Sequence, residues 1–304
     1  MKLNPALKQY ITEAILKTSF KKPSQLNIPP TTSRFFLEQL TRVFPQRKDV
    51  QLRTLKLAGI QAEEIKPQVQ STQLIFHIHG GAFMVGSIKT HRAFLSEIAT
   101  RTQMQIIHIN YPLAPEHQYP EAGDAVYDAY MQLLSQGIQT KDIIVSGDSC
   151  GANLALALAL KLKDEDPALL PSGLILMSPF LDLTLTSESL RYNRLHDALL
   201  SVEALETGIE YYVPKGMDKS TPDISPIFGD FKGLPPTLVQ IGSKEVLLDD
   251  ATRFETKAKA AGVSVEYQLY TGMWHNFQMF SPWFDEAKRA LADIADFAHK
   301  LDRS

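Results

Sequence analysis

The residues that could do chemistry start with Gly147-Asp148-Ser149-Cys150-Gly151, which fits the pattern G-x-S-x-G. A serine hydroxyl becomes a nucleophile when a strained turn lifts its Oγ clear of a sheet and a base takes its proton. Glycines on both sides let strand and helix approach, and the helix N-terminus aims N–H groups at a developing anion. The strand Ile143–Ser146 before the motif and the Ala/Leu-rich helix Ala152–Lys163 after it favour this reading over an ordinary glycine turn.

The base and the acid should come from later loops, acid first and histidine last. Of eight histidines, only His196, His275 and His299 follow Ser149. His299 sits at the end of the terminal helix, and His196 lies in a stretch without strands. His275 comes five residues after the strand Val265–Tyr270, where a sheet would present a base. The loop after strand Thr237–Ile241 offers Glu245, Asp249 and Asp250. N-capping of the next helix is expected of Asp249 and Asp250. Glu245 is therefore the expected orienting acid, with Asp249 in reserve. His79-Gly80-Gly81-Ala82-Phe83, just after strand Gln73–Ile78, supplies small residues whose N–H groups can face an oxyanion. Cys150 can add its own N–H and reads as a small turn residue, not a second nucleophile. His77 and His79 share a strand face, but no third ligand is near in sequence, so neither metal nor organic cofactor is expected.

These groups need elements to position them. Strands near 50–56, 73–78, 105–109, 142–146, 173–177, 237–241 and 265–270 alternate with helices at 90–101, 124–135, 152–163, 250–261 and 283–301. That spacing predicts an α/β protein with a mostly parallel central sheet flanked by helices. Residues 6–16 carry apolar side chains at helical spacing, and a second short helix is expected over 33–43. The stretch 185–225 interrupts the alternation with helix and loop. Together with residues 1–45 it is expected to cap the carboxyl edge of the sheet, where such folds bind ligands. The 304 residues are read as a single domain, 44% hydrophobic and 21% charged. A formal charge of −3 argues against nucleic-acid binding. The longest apolar run, Leu154–Leu160, is too short to span a membrane. One cysteine and no apolar leader fit a reducing, cytoplasmic setting.

Taken together, six segments resemble the hormone-sensitive-lipase-like, or bacterial family IV, esterases of the α/β-hydrolase superfamily. They are His79–Ala82, Tyr111–His117, Gly147–Ala155, Ser178–Asp182, Gly242–Asp250 and Trp274–Phe277. The resemblance implies an α/β-hydrolase fold with a helical cap and a triad of Ser149, Glu245 and His275. It also implies backbone oxyanion donors from Gly80, Gly81 or Ala82, plus Cys150. Ala82 stands where the family's string carries a third glycine, and its methyl narrows the space for an acyl group. The implied activity is hydrolysis of short- to medium-chain esters, a small-molecule substrate, through an acyl-enzyme. An amidase or deacetylase could use the same triad. A ligand receptor on this scaffold should lack one triad member, and here all three positions are filled. A homodimer through the terminal strand is compatible with such sheets.

Overall fold

The computed structural model describes residues 4–26, 28–69 and 71–302. Helix α1 (Pro5–Leu16) comes first and continues through a π-helical stretch, Lys17–Lys21, and a helical turn, Lys22–Ser24, before α2 (Pro30–Leu40). Asn4 caps α1, its Oδ1 accepting the N–H of Ala6 at 2.9 Å, with Pro5 in the first turn. A hairpin follows, β1 (Val50–Leu57) and β2 (Ile60–Pro67), turning through Ala58 and Gly59, both at positive φ. The alternating part runs β3 (Leu74–Ile78), α3 (Ile88–Thr102), β4 (Gln105–Ile109), α4 (Glu121–Ser135), β5 (Ile143–Asp148), α5 (Cys150–Glu165) and β6 (Gly173–Met177). After an insertion containing α6 (Val202–Tyr212) come β7 (Thr237–Gly242), α7 (Leu248–Ala260), β8 (Val265–Tyr270) and α8 (Asp285–Leu301).

The eight strands order as β1-β2-β4-β3-β5-β6-β7-β8. Pairs β1–β2 and β2–β4 are antiparallel and the rest parallel. Side chains alternate between two cores. Ile75, Ile106, Ile144, Ile175 and Leu238 face α3 and α8, while Phe76, Ile107, Val145, Leu176 and Val239 face the side covered by α4, α5 and α7. Burial on both faces explains why these strands read as continuous apolar runs.

The strand β2 is absent from the sequence expectation. Its centre carries Glu63 and Glu64, which hid an interior strand. Both are only 2% exposed because donors reach them: Arg92 and the neutral His108 at Glu63, Arg53 and Lys66 at Glu64. Helix α1 also differs from an ordinary amphipathic helix. Leu7, Tyr10, Ile11 and Ile15 are exposed, and the polar Gln9 and Glu13 meet the body.

Candidate active site

Ser149 lies between the last residue of β5 and the first of α5, with φ 53 and ψ −122. That backbone is costly for a residue with a Cβ and is held by its surroundings. A Cβ on Gly147 would lie 2.3 Å from Gly151 O, and one on Gly151 would lie 2.1 Å from Ile78 O, so the turn closes only with glycine at both places. Ser149 N–H donates to Met177 O at 2.9 Å, and Phe180 N–H donates back to Ser149 O at 3.1 Å, locking the elbow to the end of β6.

His275 and Glu245 meet. Nδ1 of His275 lies 2.9 Å from Glu245 Oε2, which leaves Nε2 to accept a proton. The other oxygen of Glu245 accepts Ser178 Oγ–H at 2.8 Å and Gly242 N–H at 2.6 Å. Burial disfavours the imidazolium, but the bond to Glu245 and the carboxylates of Glu245, Asp197 and Asp148 outweigh it, so His275 titrates above its ordinary value. The histidine loop is tied to the elbow. Asn276 Nδ2 donates to Asp148 Oδ2 at 2.7 Å, and Asn276 N–H donates to Ser178 Oγ at 3.2 Å. Among the described residues Ser149 Oγ makes no hydrogen bond, to His275 Nε2 or otherwise. Such bonds commonly tighten only with substrate in place.

Asp249 is not beside His275. It accepts Ser189 N–H at 2.8 Å and Tyr192 O–H at 2.7 Å. Asp250 accepts Leu181 N–H, Asp182 N–H and Ser187 Oγ–H, and burial pushes its carboxyl up to about 6. Neither caps α7, whose N-cap is Leu247. The backbone of 181–189 needs acceptors, and these two carboxylates supply them.

The oxyanion turn also departs in one place from expectation. Gly80 N–H is committed to Asp148 Oδ1 at 3.0 Å and is not free for a substrate. Gly81 N–H has no protein acceptor among the described residues, and Ala82 N–H lies beside Cys150 Sγ. Cys150 opens α5, so its N–H has no intrahelical partner. Its thiol accepts Phe83 N–H at 3.2 Å, and burial pushes it up to about 12. A thiol so protonated is a poor nucleophile. His77 and His79 do not converge on a common ligand. His77 bonds Ser146 Oγ at 2.8 Å and reaches Asp148 at 3.3 Å, whereas His79 Nδ1–H donates to Gly80 O at 2.8 Å. Among the described residues no group of three or more His, Cys, Asp and Glu could hold a metal ion.

Four residues of the site had gone unread in the sequence. Asp148 gathers Gly80, Asn276, His77 and His91 onto one carboxylate. Burial opposes its charge, yet the two histidines bonded to it hold it well below the ordinary carboxylate range. Ser178 and Asn276 lie inside segments already noticed, Ser178–Asp182 and Trp274–Phe277, though nothing in those segments assigned them a role. Asp197, fully buried in the insertion, accepts Val246 N–H at 3.1 Å and His275 N–H at 3.4 Å, and no local pattern announces it.

The site is shut. Ser149 is 3% and His275 4% exposed. α6 lies over the oxyanion turn, with Tyr212 stacked on Phe83 at 3.9 Å between ring centroids. Lys21 Nζ donates to Asp197 O at 2.7 Å, and Ser24 bonds Ser201, so the N-terminal segment holds the insertion. A surface cleft of about 350 Å³ lies elsewhere, beside Asp249 and Arg253, and no triad residue borders it. Trp274, Phe83, Phe180 and Tyr212 are core residues, each at most 1% exposed.

With this fold and site described, comparison with known proteins is direct. Residues 75–279 match a family model described as alpha/beta hydrolase fold. An esterase of Acinetobacter venetianus is 62% identical over 302 residues, 99% of each chain. An acetyl-hydrolase of Streptomyces hygroscopicus is 34% identical over 76% of each. Among solved structures, an esterase from the bacterial hormone-sensitive lipase family is 31% identical with a TM-score of 0.92, covering 99% of this chain and 100% of that one. The esterase EstE5, soaked with p-nitrophenyl butyrate, matches at 31% identity and a TM-score of 0.92 with the same coverage. The chain belongs to the α/β-hydrolase fold family and, within it, to the hormone-sensitive-lipase-like esterases, which are carboxylic ester hydrolases.

Proposed function

We propose that the protein hydrolyses short- to medium-chain carboxylic esters with Ser149 as nucleophile, His275 as base and Glu245 as its orienting acid. The observation that carries this is the buried Glu245–His275 pair at 2.9 Å, joined to the serine elbow through Asn276 and Asp148. Ser149 Oγ attacks the ester carbonyl as Nε2 of His275 takes its proton. N–H groups of Gly81, Ala82 and Cys150 receive the oxyanion, each such donor being worth about 2.7–4 kcal/mol in the transition state. Collapse returns the proton to the departing alcohol and leaves an acyl-serine, which water activated by the same imidazole hydrolyses. Residues 1–45 and 185–225 form the cap of this single domain, supported by the bonds of Lys21 and Ser24 to the insertion. The packing of α6 over the oxyanion turn, with Gly208 against Ala82 and Tyr212 on Phe83, supports a cap that limits acyl length. A cytoplasmic setting is supported by the single cysteine, buried as a free thiol. The open edge of β8 is where a second copy could pair. An acyl series of p-nitrophenyl esters tests the substrate class. kcat/KM should peak at acetate to butyrate and fall at least about tenfold by palmitate. A rising trend to palmitate would contradict the closed cap as a length limit.

A further inference from the structure

Half of the large hydrophobic side chains exposed among the described residues lie before residue 44. On α1, Leu7, Tyr10, Ile11 and Ile15 are 48, 73, 39 and 54% exposed. Their spacing puts them on one face of the helix. The opposite face docks through a single buried apolar side chain, Leu16, and through polar contacts, with Gln9 Nε2 donating to Gly272 O at 2.8 Å and Glu13 pairing with Lys244 at 2.6 Å. The helix therefore shows water the side that a globular protein usually hides. Phe35 and Phe36 of α2 add exposed rings.

Charge is distributed in the same unequal way. The first fifty residues hold nine Lys and Arg against three Asp and Glu, a balance of +6 in a chain of −3, so the remainder carries −9. All three carboxylates are already paired, Glu13 with Lys244, Glu38 with Lys89 and Asp49 with Arg47. Among the described residues Lys17, Lys22 and Arg42 make no ion pair. An apolar stripe flanked by unneutralised cations is the composition of a helix that lies in a lipid interface. Two such faces brought together in a symmetric dimer would oppose +6 to +6.

We propose that α1 and the basic segment around it dock the protein on an anionic phospholipid surface, with the stripe Leu7–Ile15 in the headgroup boundary and Lys17, Lys22 and Arg42 against phosphates. This goes beyond ester hydrolysis and does not depend on it, since Ser149→Ala should bind equally.

The test is flotation of the full-length protein with vesicles of phosphatidylcholine alone, and of phosphatidylcholine mixed with phosphatidylglycerol. Three cations predict binding to the anionic vesicles tighter by about tenfold to a hundredfold. About 1 M NaCl should remove most of that difference. The double variants I11S with I15S, and K17E with K22E, should each lose most of the binding. Unchanged melting temperatures would show that both fold. Equal binding to the two vesicle types, or none, would overturn the proposal. So would a wild-type dimer that I11S with I15S converts to monomers while vesicle binding stays absent, because the stripe would then be a contact between copies.

Discussion

Asp148 ties together two parts of the proposed site. Its two oxygens fix Gly80 of the oxyanion turn and Asn276 beside the base, so Asp148→Asn should misplace both. We expect kcat to fall by about tenfold to a hundredfold with KM little changed, measured with p-nitrophenyl butyrate. With His275 as the proposed base, its titration should set the acid limb. It must be neutral to take the serine proton, and it titrates above its ordinary value, so kcat/KM should rise with pH through an apparent pKa above about 6.5. Asp197→Asn removes one of the three carboxylates that favour the cation, beside Glu245 and Asp148, so the limb should move to lower pH. A purely structural role for Asp197 would lower the rate at every pH and leave the limb in place. Cys150→Ala should keep activity within about tenfold, because the thiol contributes a bond to Phe83 N–H and no thiolate. Complete loss would mean the sulfur does more than hold that turn.

At the scale of elements, the cap and the oxyanion turn touch through a residue without a side chain. A Cβ on Gly208 of α6 would come 2.5 Å from Ala82 O and 2.9 Å from Ala82 Cβ. Ala82 and Phe83 already sit at positive φ. Gly208→Ala should therefore displace the N–H donors, lowering kcat by about tenfold or more while the melting temperature shifts little. An unchanged kcat would show that α6 simply moves aside. This contact could not have been read from the chain, because Gly208 and Ala82 are remote in sequence. What could be read was whatever had a local signature. Apolar runs marked the buried strands, and the glycine-bounded serine marked the elbow. The loops after β7 and β8 marked Glu245 and His275, which pair at 2.9 Å. β2 was illegible because Glu63 and Glu64 sit in its middle and are neutralised by Arg92 and Arg53 from other elements. Gly80 could not be told from Gly81 and Ala82 as a donor because the backbone pattern does not reveal that Asp148 accepts its N–H.

Across the whole molecule, burial of neutral histidines links folding to pH. Burial lowers His79 to about 3 and His108 to about 4, against an unfolded value near 6.5. The unfolded chain therefore takes up protons that the folded one refuses, and stability is lost as pH falls from about 6.5 toward 4. Each of these histidines should contribute about 1 kcal/mol per pH unit in that window. Denaturant melts from pH 7 to 4.5 should show the slope, and His108→Asn should make it shallower. An unchanged slope in that variant would place the refused proton elsewhere. The proposed mechanism needs loops from three strand ends to serve one hydroxyl, and covalent labelling reads that outcome most directly. A fluorophosphonate probe followed by peptide mass analysis should modify Ser149 in the wild type, and Ser149→Ala should be unlabelled and at least about 10⁴-fold slower on p-nitrophenyl butyrate. Labelling at another residue, or ester turnover undiminished in Ser149→Ala, would contradict the assignment.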